Sequence, residues 1–446
     1  MRVATFVFSI ALGVGLVGCS RKAPPQPAAS GEAPPLVASP VQANAGTCRV
    51  VSAVQTLDKG VRPDTGVTFG RLLDGRMALG FAGNAGSPRV AVFDVEGSGS
   101  MVDVDASAVE DLAEKPGPRV VRLVHRVVPW STAGLAVAAL VDSTETRPDG
   151  TRIVRCGPTN GEAIAKFEGT SAFEKTAGDA EESLPITELR DCRSFAAEKP
   201  WALASEATIG ADGEAESRWV ARGAGAGDLE VIATKKIPAE KGHARPRGAQ
   251  VDRFGFTASS VVALGGAGWL ATSRHNGRLV VAKLGDDFRA AADVSDTYYG
   301  APVGRAALAF RDGRLVIVAA LNGKADVLGA SFPLEGKAPK LAPLSVDDAT
   351  PIAPAERAAA AVAPLGGSET ALAFVQGKGA DRRARVTLLD ASLKARGAGV
   401  QPFGEAEVHA VDVTALAGSK VVVSAIITQA GAGQILQSTV LDCGAL

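Results

Sequence analysis

The sequence predicts an all-β chain folded as a β-propeller of about seven blades, set behind a disordered tether. Three observations predict it. A unit of three apolar runs recurs along residues 47–446. Six Asp-Gly or Asn-Gly pairs fall between such runs. Cysteines stand at both ends of the repeating region, Cys48 and Cys443.

The unit is an apolar run, a tight turn, a second run, a polar turn and a third run that often ends in Asp. Its clearest copies are Ala358–Ala363, Thr370–Val375 and Ala384–Asp390, then Val408–Ala415, Lys420–Ile427 and Gln434–Asp442. Before them stand Ser260–Leu264, Trp269–Ser273 and Arg278–Leu284, and Ala306–Phe310, Arg314–Ala320 and Ala325–Phe332. Two earlier copies are Val67–Leu72, Arg76–Ala82 and Arg89–Phe93, and Val121–Val128, Leu135–Val141 and Thr151–Cys156.

The turns are Asp74-Gly75, Asp149-Gly150, Asp212-Gly213, Asn276-Gly277, Asp312-Gly313 and Asn322-Gly323. Both residue pairs tolerate the positive φ that two-residue hairpins require, so an antiparallel meander is expected. No segment carries a convincing 3.6-residue apolar stripe, and Ala106–Glu114 is at best one short helix.

Middle runs start near residues 76, 134, 218, 268, 314, 370 and 420. The interval from 134 to 218 is long and reads as an insertion or a poorly formed unit. The remaining spacing suits a four-stranded blade of about 40–50 residues with loops. Seven blades are expected, and six or eight also fit. Two β-sandwich domains split near residue 250 are the alternative, which leaves the period and the end cysteines unexplained. The repeats carry neither the Gly-His…Trp-Asp pattern of WD40 blades nor the pattern of quinoprotein blades.

Four cysteines in the repeating region, Cys48, Cys156, Cys192 and Cys443, suggest two disulfides. Three pairings are possible. The favoured one joins Cys156 to Cys192 as a local clasp and Cys48 to Cys443 as the lock of the ring.

The fifth cysteine, Cys19, has a different setting. Residues 1–18 read as one Arg, an apolar stretch from Val3 and a small residue before a cut site, which is a secretory signal. The stretch is too short for a stable span of about 20 residues. It ends Leu16-Val17-Gly18-Cys19, which resembles the lipobox of bacterial lipoproteins. The resemblance implies cleavage before Cys19, a lipid on its thiol and attachment to a membrane. Ser20 implies the outer membrane of a Gram-negative cell, with the domain facing the periplasm or the surface. Residues 20–46 hold six prolines and no aromatic residue. They cannot offset the entropy of ordering, and as a Pro-rich linker they reach up to roughly 80 Å.

The chain has 47 basic and 48 acidic residues, so no global field argues for nucleic acid. Aromatics at 5% weaken a carbohydrate-binding reading. No hydrolase elbow or P-loop occurs. None of His125, His243, His275 and His409 is spaced for a metal; His125 and His409 are expected in packing or edge roles. The one metal candidate places Asp103, Asp105, Ser107, Asp111 and Glu114 at positions 1, 3, 5, 9 and 12 of a calcium loop. Ala108 stands where that loop needs Gly. An acidic stretch, Glu168–Asp191, and a basic one, Lys235–Arg247, are candidate binding loops that also read as solvated ones. Trp130 and Tyr298-Tyr299 read as ligand-lining or, preferably, as packing between blades.

The function expected is a binding or scaffold module on a lipid anchor, monomeric, with an envelope protein as partner. An extracytoplasmic hydrolase with propeller-borne carboxylates and a purely structural envelope protein are the alternatives.

Overall fold

The computed structural model describes residues 48–102 and 128–444, apart from loop segments of which 171–185 and 239–258 are the longest. Cys19, the signal and the tether lie outside the described residues, as does the calcium candidate Asp103–Glu114. Strands between 128 and 273 are described mainly as backbone.

The chain opens with β1 (Arg49–Val50) and β2 (Gln55–Lys59). Blade 1 is β3 (Thr68–Arg71), β4 (Met77–Ala82), β5 (Pro88–Phe93) and β6 (Gly99–Val102). Blade 2 is β7 (Val128–Trp130), β8 (Ala136–Thr146), β9 (Arg152–Pro158) and β10 (Phe167–Thr170). Blade 3 is β11 (Ile186–Ala196), β12 (Pro200–Ile209), β13 (Ala215–Gly223) and β14 (Glu230–Ile237). Blade 4 is β15 (Ser259–Leu264), β16 (Ala267–Ser273), β17 (Arg278–Leu284) and β18 (Ala291–Tyr298). Blade 5 is β19 (Ala307–Arg311), β20 (Arg314–Ala320), β21 (Val327–Pro333) and β22 (Ala342–Pro343). Blade 6 is β23 (Ala360–Pro364), β24 (Thr370–Gln376) and β25 (Arg383–Leu389), with a fourth strand reduced to bridges at Ala395 and Val400. Blade 7 is β26 (Glu407–Ala415), β27 (Lys420–Gln429) and β28 (Gly433–Asp442).

Every sheet is an antiparallel meander, and blade 7 is completed by β1 and β2, which both pair with β28. The first strands follow one another around a ring. β3 lies beside β7, then β11, β15, β19, β23 and β26 follow in turn, and β26 lies beside β3. The fold is a seven-bladed β-propeller.

The second strands explain the apolar runs. In β24, Ala371, Ala373 and Val375 pack toward blade 7, while Leu372 and Phe374 pack toward blade 5. In β20, Leu315, Ile317 and Ala319 face blade 4, while Val316, Val318 and Ala320 face blade 6. A strand buried on both faces has no polar side, so its sequence is continuously apolar instead of alternating. The core is thus a series of seams between blades.

The turn chemistry holds where it is described. Asp312 and Gly313 take φ 45° and 71° in the β19–β20 hairpin, and Gly277 takes φ 81°. Asp74-Gly75, Asp149-Gly150, Asp212-Gly213, Asn276 and Asn322-Gly323 lie outside the described residues.

Blade 3 corrects the spacing. The run near 218 is β13, the third strand, and the second strand is Pro200–Ile209. Second strands therefore start at 77, 136, 200, 267, 314, 370 and 420, and the apparent insertion between 134 and 218 disappears. The strand was hidden because PWALASEATI has little Val or Ile and three Ala, a poor β signature. In blade 2, the described first strand begins at Val128, the last residue of the expected run.

Cys48 and Cys443 are disulfide-bonded across 395 residues, just outside the Arg49↔Asp442 pair of β1 and β28. Asp442 is held by the Ser419 hydroxyl (2.6 Å), the Gly444 amide (3.0 Å) and Arg49 (3.4 Å). Ring closure also continues past blade 7. The Gln55 side chain exchanges hydrogen bonds with Gly99 of β6 (2.7 and 3.1 Å), and Asp58 pairs with Arg89 of β5 at 2.5 Å. β2 therefore belongs to two blades at once.

Two outcomes are expected. Replacing both Cys48 and Cys443 with Ser should lower unfolding free energy by about 2–5 kcal/mol, measured by denaturant titration under oxidising conditions. Reducing agent should then shift the wild type more than the variant. Gly97, at φ 86°, has Val440, Leu416 and Val422 side-chain carbons 2.5–3.1 Å from where a Cβ would stand. Gly97→Ala should cost about 2 kcal/mol or more in thermal unfolding.

Candidate functional site

Hairpins from first to second strands and turns from third to fourth strands emerge on one face of the ring, the turn face. Two of its turns are built alike. After β25, Asp390 Oδ1 accepts the Ser392 amide (2.8 Å), the Lys394 amide (3.0 Å) and the Ser392 hydroxyl (2.7 Å), while Leu393 takes φ 64°. After β5, Asp94 Oδ1 accepts the Glu96 and Ser98 amides, both at 2.9 Å. A short carboxylate that accepts amides two and four residues on closes such a turn, which is why these runs end in Asp. Burial raises the pKa of Asp390. The Ser392 hydroxyl, the Lys394 and Ser392 amides and then Arg396 outweigh it and hold the carboxyl below its ordinary value.

The Asp390 turn forms one wall of a cleft of 420 Å³ between blades 5 and 6. The opposite wall comes from blade 5: Arg314, Ser331, Leu344 and Ser345, facing Ser392 and Lys394. Arg314 is the first residue after the Asp312-Gly313 hairpin. Its Nε donates to Ser331 Oγ (3.0 Å) and its Nη2 to the Ser331 carbonyl (2.8 Å). That bracing fixes the guanidinium plane at the mouth of the cleft. Leu344 and Leu393 are buried beneath it.

Behind the cleft lies Arg311, 4% exposed. Its Nη1 donates to Thr370 Oγ1 (2.6 Å) and its Nη2 to the Ala391 carbonyl (3.4 Å), while its buried Nε has no hydrogen-bond partner. Burial lowers its pKa from the ordinary arginine value; Asp312 opposes that shift and Arg314 adds to it.

A second polar cluster sits on the other face, between blades 6 and 7. Arg382 Nη2 donates to Glu407 (2.7 Å) and to His409 Nδ1 (3.0 Å), and His409 Nε2 meets Thr428 Oγ1 at 2.6 Å. The donating guanidinium makes Nδ1 an acceptor, so the proton sits on Nε2. A nucleophile relay would need the carboxylate on Nδ1. Here an arginine occupies that place, and the cluster works as a clamp between blades. Hydrogen bonding from Arg382 lowers the Glu407 pKa; burial opposes that shift, and His409 and Thr428 reinforce it.

The sequence-level candidates scatter. Cys48 and Cys443 meet. Cys156 lies on β9 and Cys192 on β11, in adjacent blades, with side chains outside the described residues. Asp103, Asp105, Ser107, Asp111, Glu114, His125, His243 and His275 lie outside the described residues, as does the side chain of Trp130. Tyr299 packs in the seam of blades 4 and 5, and its hydroxyl accepts the Leu341 amide at 2.9 Å. Tyr298, by contrast, is 57% exposed. Lys236 pairs with Glu214 at 2.7 Å. Among the described residues no three His, Cys, Asp or Glu side chains converge as metal ligands, and no helix is long and apolar enough to cross a membrane.

No protein-family model and no curated protein matches the chain. Solved structures do. The BP39L lectin of Burkholderia pseudomallei is 14% identical with a TM-score of 0.45, over 88% of this chain and 98% of that one. The WD40 domain of SCAP from fission yeast is 7% identical with a TM-score of 0.41, over 87% and 86%. A Trypanosoma rangeli sialidase in complex with the inhibitor DANA is 10% identical with a TM-score of 0.36, over 78% of this chain. The chain spans only 57% of that sialidase's length.

The cleft residues carried little sequence signal. Arg314 follows a hairpin pair and Ser392 follows a strand-ending Asp, but their meeting depends on two blades lying side by side.

The depressed pKa values set a pH expectation. Stability from Glu407 and Asp390 is complete above the ordinary carboxylate pKa of about 4 and is lost as pH falls through their lower folded values. Glu407→Gln should lose about 1–3 kcal/mol at neutral pH and flatten the acid limb of thermal stability against pH.

Proposed function

We propose that this chain is an extracytoplasmic binding or scaffold module, held to a membrane by lipid on Cys19 and positioned by the tether of residues 20–46. The observation that supports it is the Cys48–Cys443 disulfide at the point where the tether meets the ring. Structural disulfides persist in oxidising compartments, which agrees with a signal ending in Leu16-Val17-Gly18-Cys19. Cys19 is also the one cysteine left over if the other four pair. The outer membrane of a Gram-negative cell is the site that Ser20 favours, and an envelope protein is a partner that the tether would allow the ring to reach.

Partner contact is assigned to the turn face. Two of its turns, after β5 and β25, are braced by Asp side chains and expose polar residues such as Glu96, Ser392 and Lys394, which can carry binding groups.

Fractionation of cells expressing Cys19→Ala tests the anchor. The variant should move to the soluble fraction, while the wild type stays with membranes until detergent is added. A variant that still pellets with membranes rules the lipid reading out. A photo-crosslinker at Lys394 tests the face. It should trap a discrete adduct that the same crosslinker at Lys236 does not; equal labelling at both positions counts against it.

A further inference from the structure

We infer that the cleft between blades 5 and 6 is an oxyanion-binding site, which takes a small ligand through a carboxylate, sulfate or phosphate group. The inference rests on the binding-module reading and deepens it by naming the chemistry of the ligand.

Arg314 and Lys394 bring positive charge from opposite walls, and among the described residues that line the cleft none is acidic. Ser331 and Ser345 add hydroxyls, while the Ser392 hydroxyl is spent on Asp390 Oδ1. Arg314 is pre-positioned: Nε and Nη2 are spent on Ser331, and Nη1 makes no hydrogen bond within the described residues. A planar guanidinium braced on one edge loses little rotamer freedom when a ligand oxygen meets its remaining donors. Asp390 Oδ1 accepts the Ser392 amide and hydroxyl and the Lys394 amide, and its negative charge beside the cleft is one that the cations must outweigh.

Position adds to this. The Arg311 guanidinium lies behind the Asp390 turn and donates to the Ala391 carbonyl. It brings a third, buried positive charge to the back wall, with Asp312, Asp390 and Glu369 near it, and orients the turn that carries Ser392 and Lys394. A fixed charge in a region of low dielectric acts on an anion more strongly than one in bulk water.

Size limits the ligand. A cleft of 420 Å³ falls at the lower end of the ~300–1,000 Å³ typical of small-molecule sites. Leu344 and Leu393 give it an apolar floor. A compact ligand with one charged end and a hydroxylated or apolar body fits these walls.

The test is calorimetric or NMR titration of the full mature chain with inorganic sulfate, inorganic phosphate and acetate, at fixed low ionic strength. At least one probe should bind saturably. Preference for sulfate and phosphate would identify a tetrahedral group, and preference for acetate a carboxylate. Lys394→Gln and Arg314→Gln should each weaken binding about tenfold, and Arg314→Lys should recover only part of it. Lys236→Gln, on blade 3, should match the wild type. Thermal unfolding of each variant separates lost binding from lost fold, and Ser345→Ala gives an independent weakening of a few fold. The inference is overturned if no probe saturates, or if Lys394→Gln and Lys236→Gln bind alike. The titration does not involve Cys19, so its failure would leave the membrane reading standing, and release of the wild type from membranes would leave this site standing.

Discussion

A ring of blades has no free end to its packing. Each second strand is buried on both faces only while both neighbours stand beside it, as β20 and β24 show with their divided sets of apolar side chains. The closing contact is therefore the one on which the rest depends. Here it is β28 against β1 and β2, with Cys48 bonded to Cys443 at its outer end. The bond spans 395 residues, and in the chain-entropy view the constraint on the unfolded chain grows with the length enclosed. The closure does more than join two strands. Gln55 and Asp58 carry β2 onto Gly99 and Arg89 of blade 1, so the first strands of the chain hold the last blade and the first together.

The seams are apolar in the middle and polar at their rims, and the polar bonds cross from blade to blade. Tyr299 accepts an amide across blades 4 and 5. Arg311 reaches Thr370 across blades 5 and 6. Arg382 reaches Glu407 and His409 across blades 6 and 7. Asp412 Oδ2 accepts the Phe69 amide at 2.8 Å across blades 7 and 1. Flat apolar faces can slide, since dispersion has no direction; a directional bond between named atoms sets one register. The arrangement is not free of cost. Arg311 Nε, Thr387 Oγ1 and Ser424 Oγ are buried without partners, and each such atom loses its bond to water. The buried Arg311 guanidinium is bonded to Thr370 and to the Ala391 carbonyl, so its removal would leave those groups unpaired.

Much of this fold could be read from the residues. Apolar runs mark second strands because those strands are buried on both sides, and Asp312-Gly313 marks a hairpin because both residues tolerate positive φ. The end cysteines pointed to ring closure because a propeller ring brings its last strand back to its first. The fourth strands were not legible. β6, β10 and β22 have only two to four residues and blade 6 has only the Ala395 and Val400 bridges, so no pattern of any length exists to read there, and the eight-residue β14 and β18 were not separated from their loops. β12 was missed because its Ala-rich sequence has β-branched residues only at its end, Thr208 and Ile209. The cleft was not legible for another reason. Arg314 and Ser392 are 78 positions apart and meet only through the lateral packing of two blades, which no local signal encodes.

The turn face brings these strands of argument together. Cys48 and Cys443 lie at the end of β28 that shares its side with the Asp390 turn, so the chain enters the ring on the face that carries the cleft. In the proposed reading, a short rigid entry would press that face toward the membrane and shield it. On the same reading, a Pro-rich linker reaching roughly 80 Å would remove that constraint, and the anchor would set local concentration without fixing orientation. A site on such a face must supply its own geometry. Arg314 braced by Ser331, and a turn locked by Asp390, supply it from within the two blades that form the cleft.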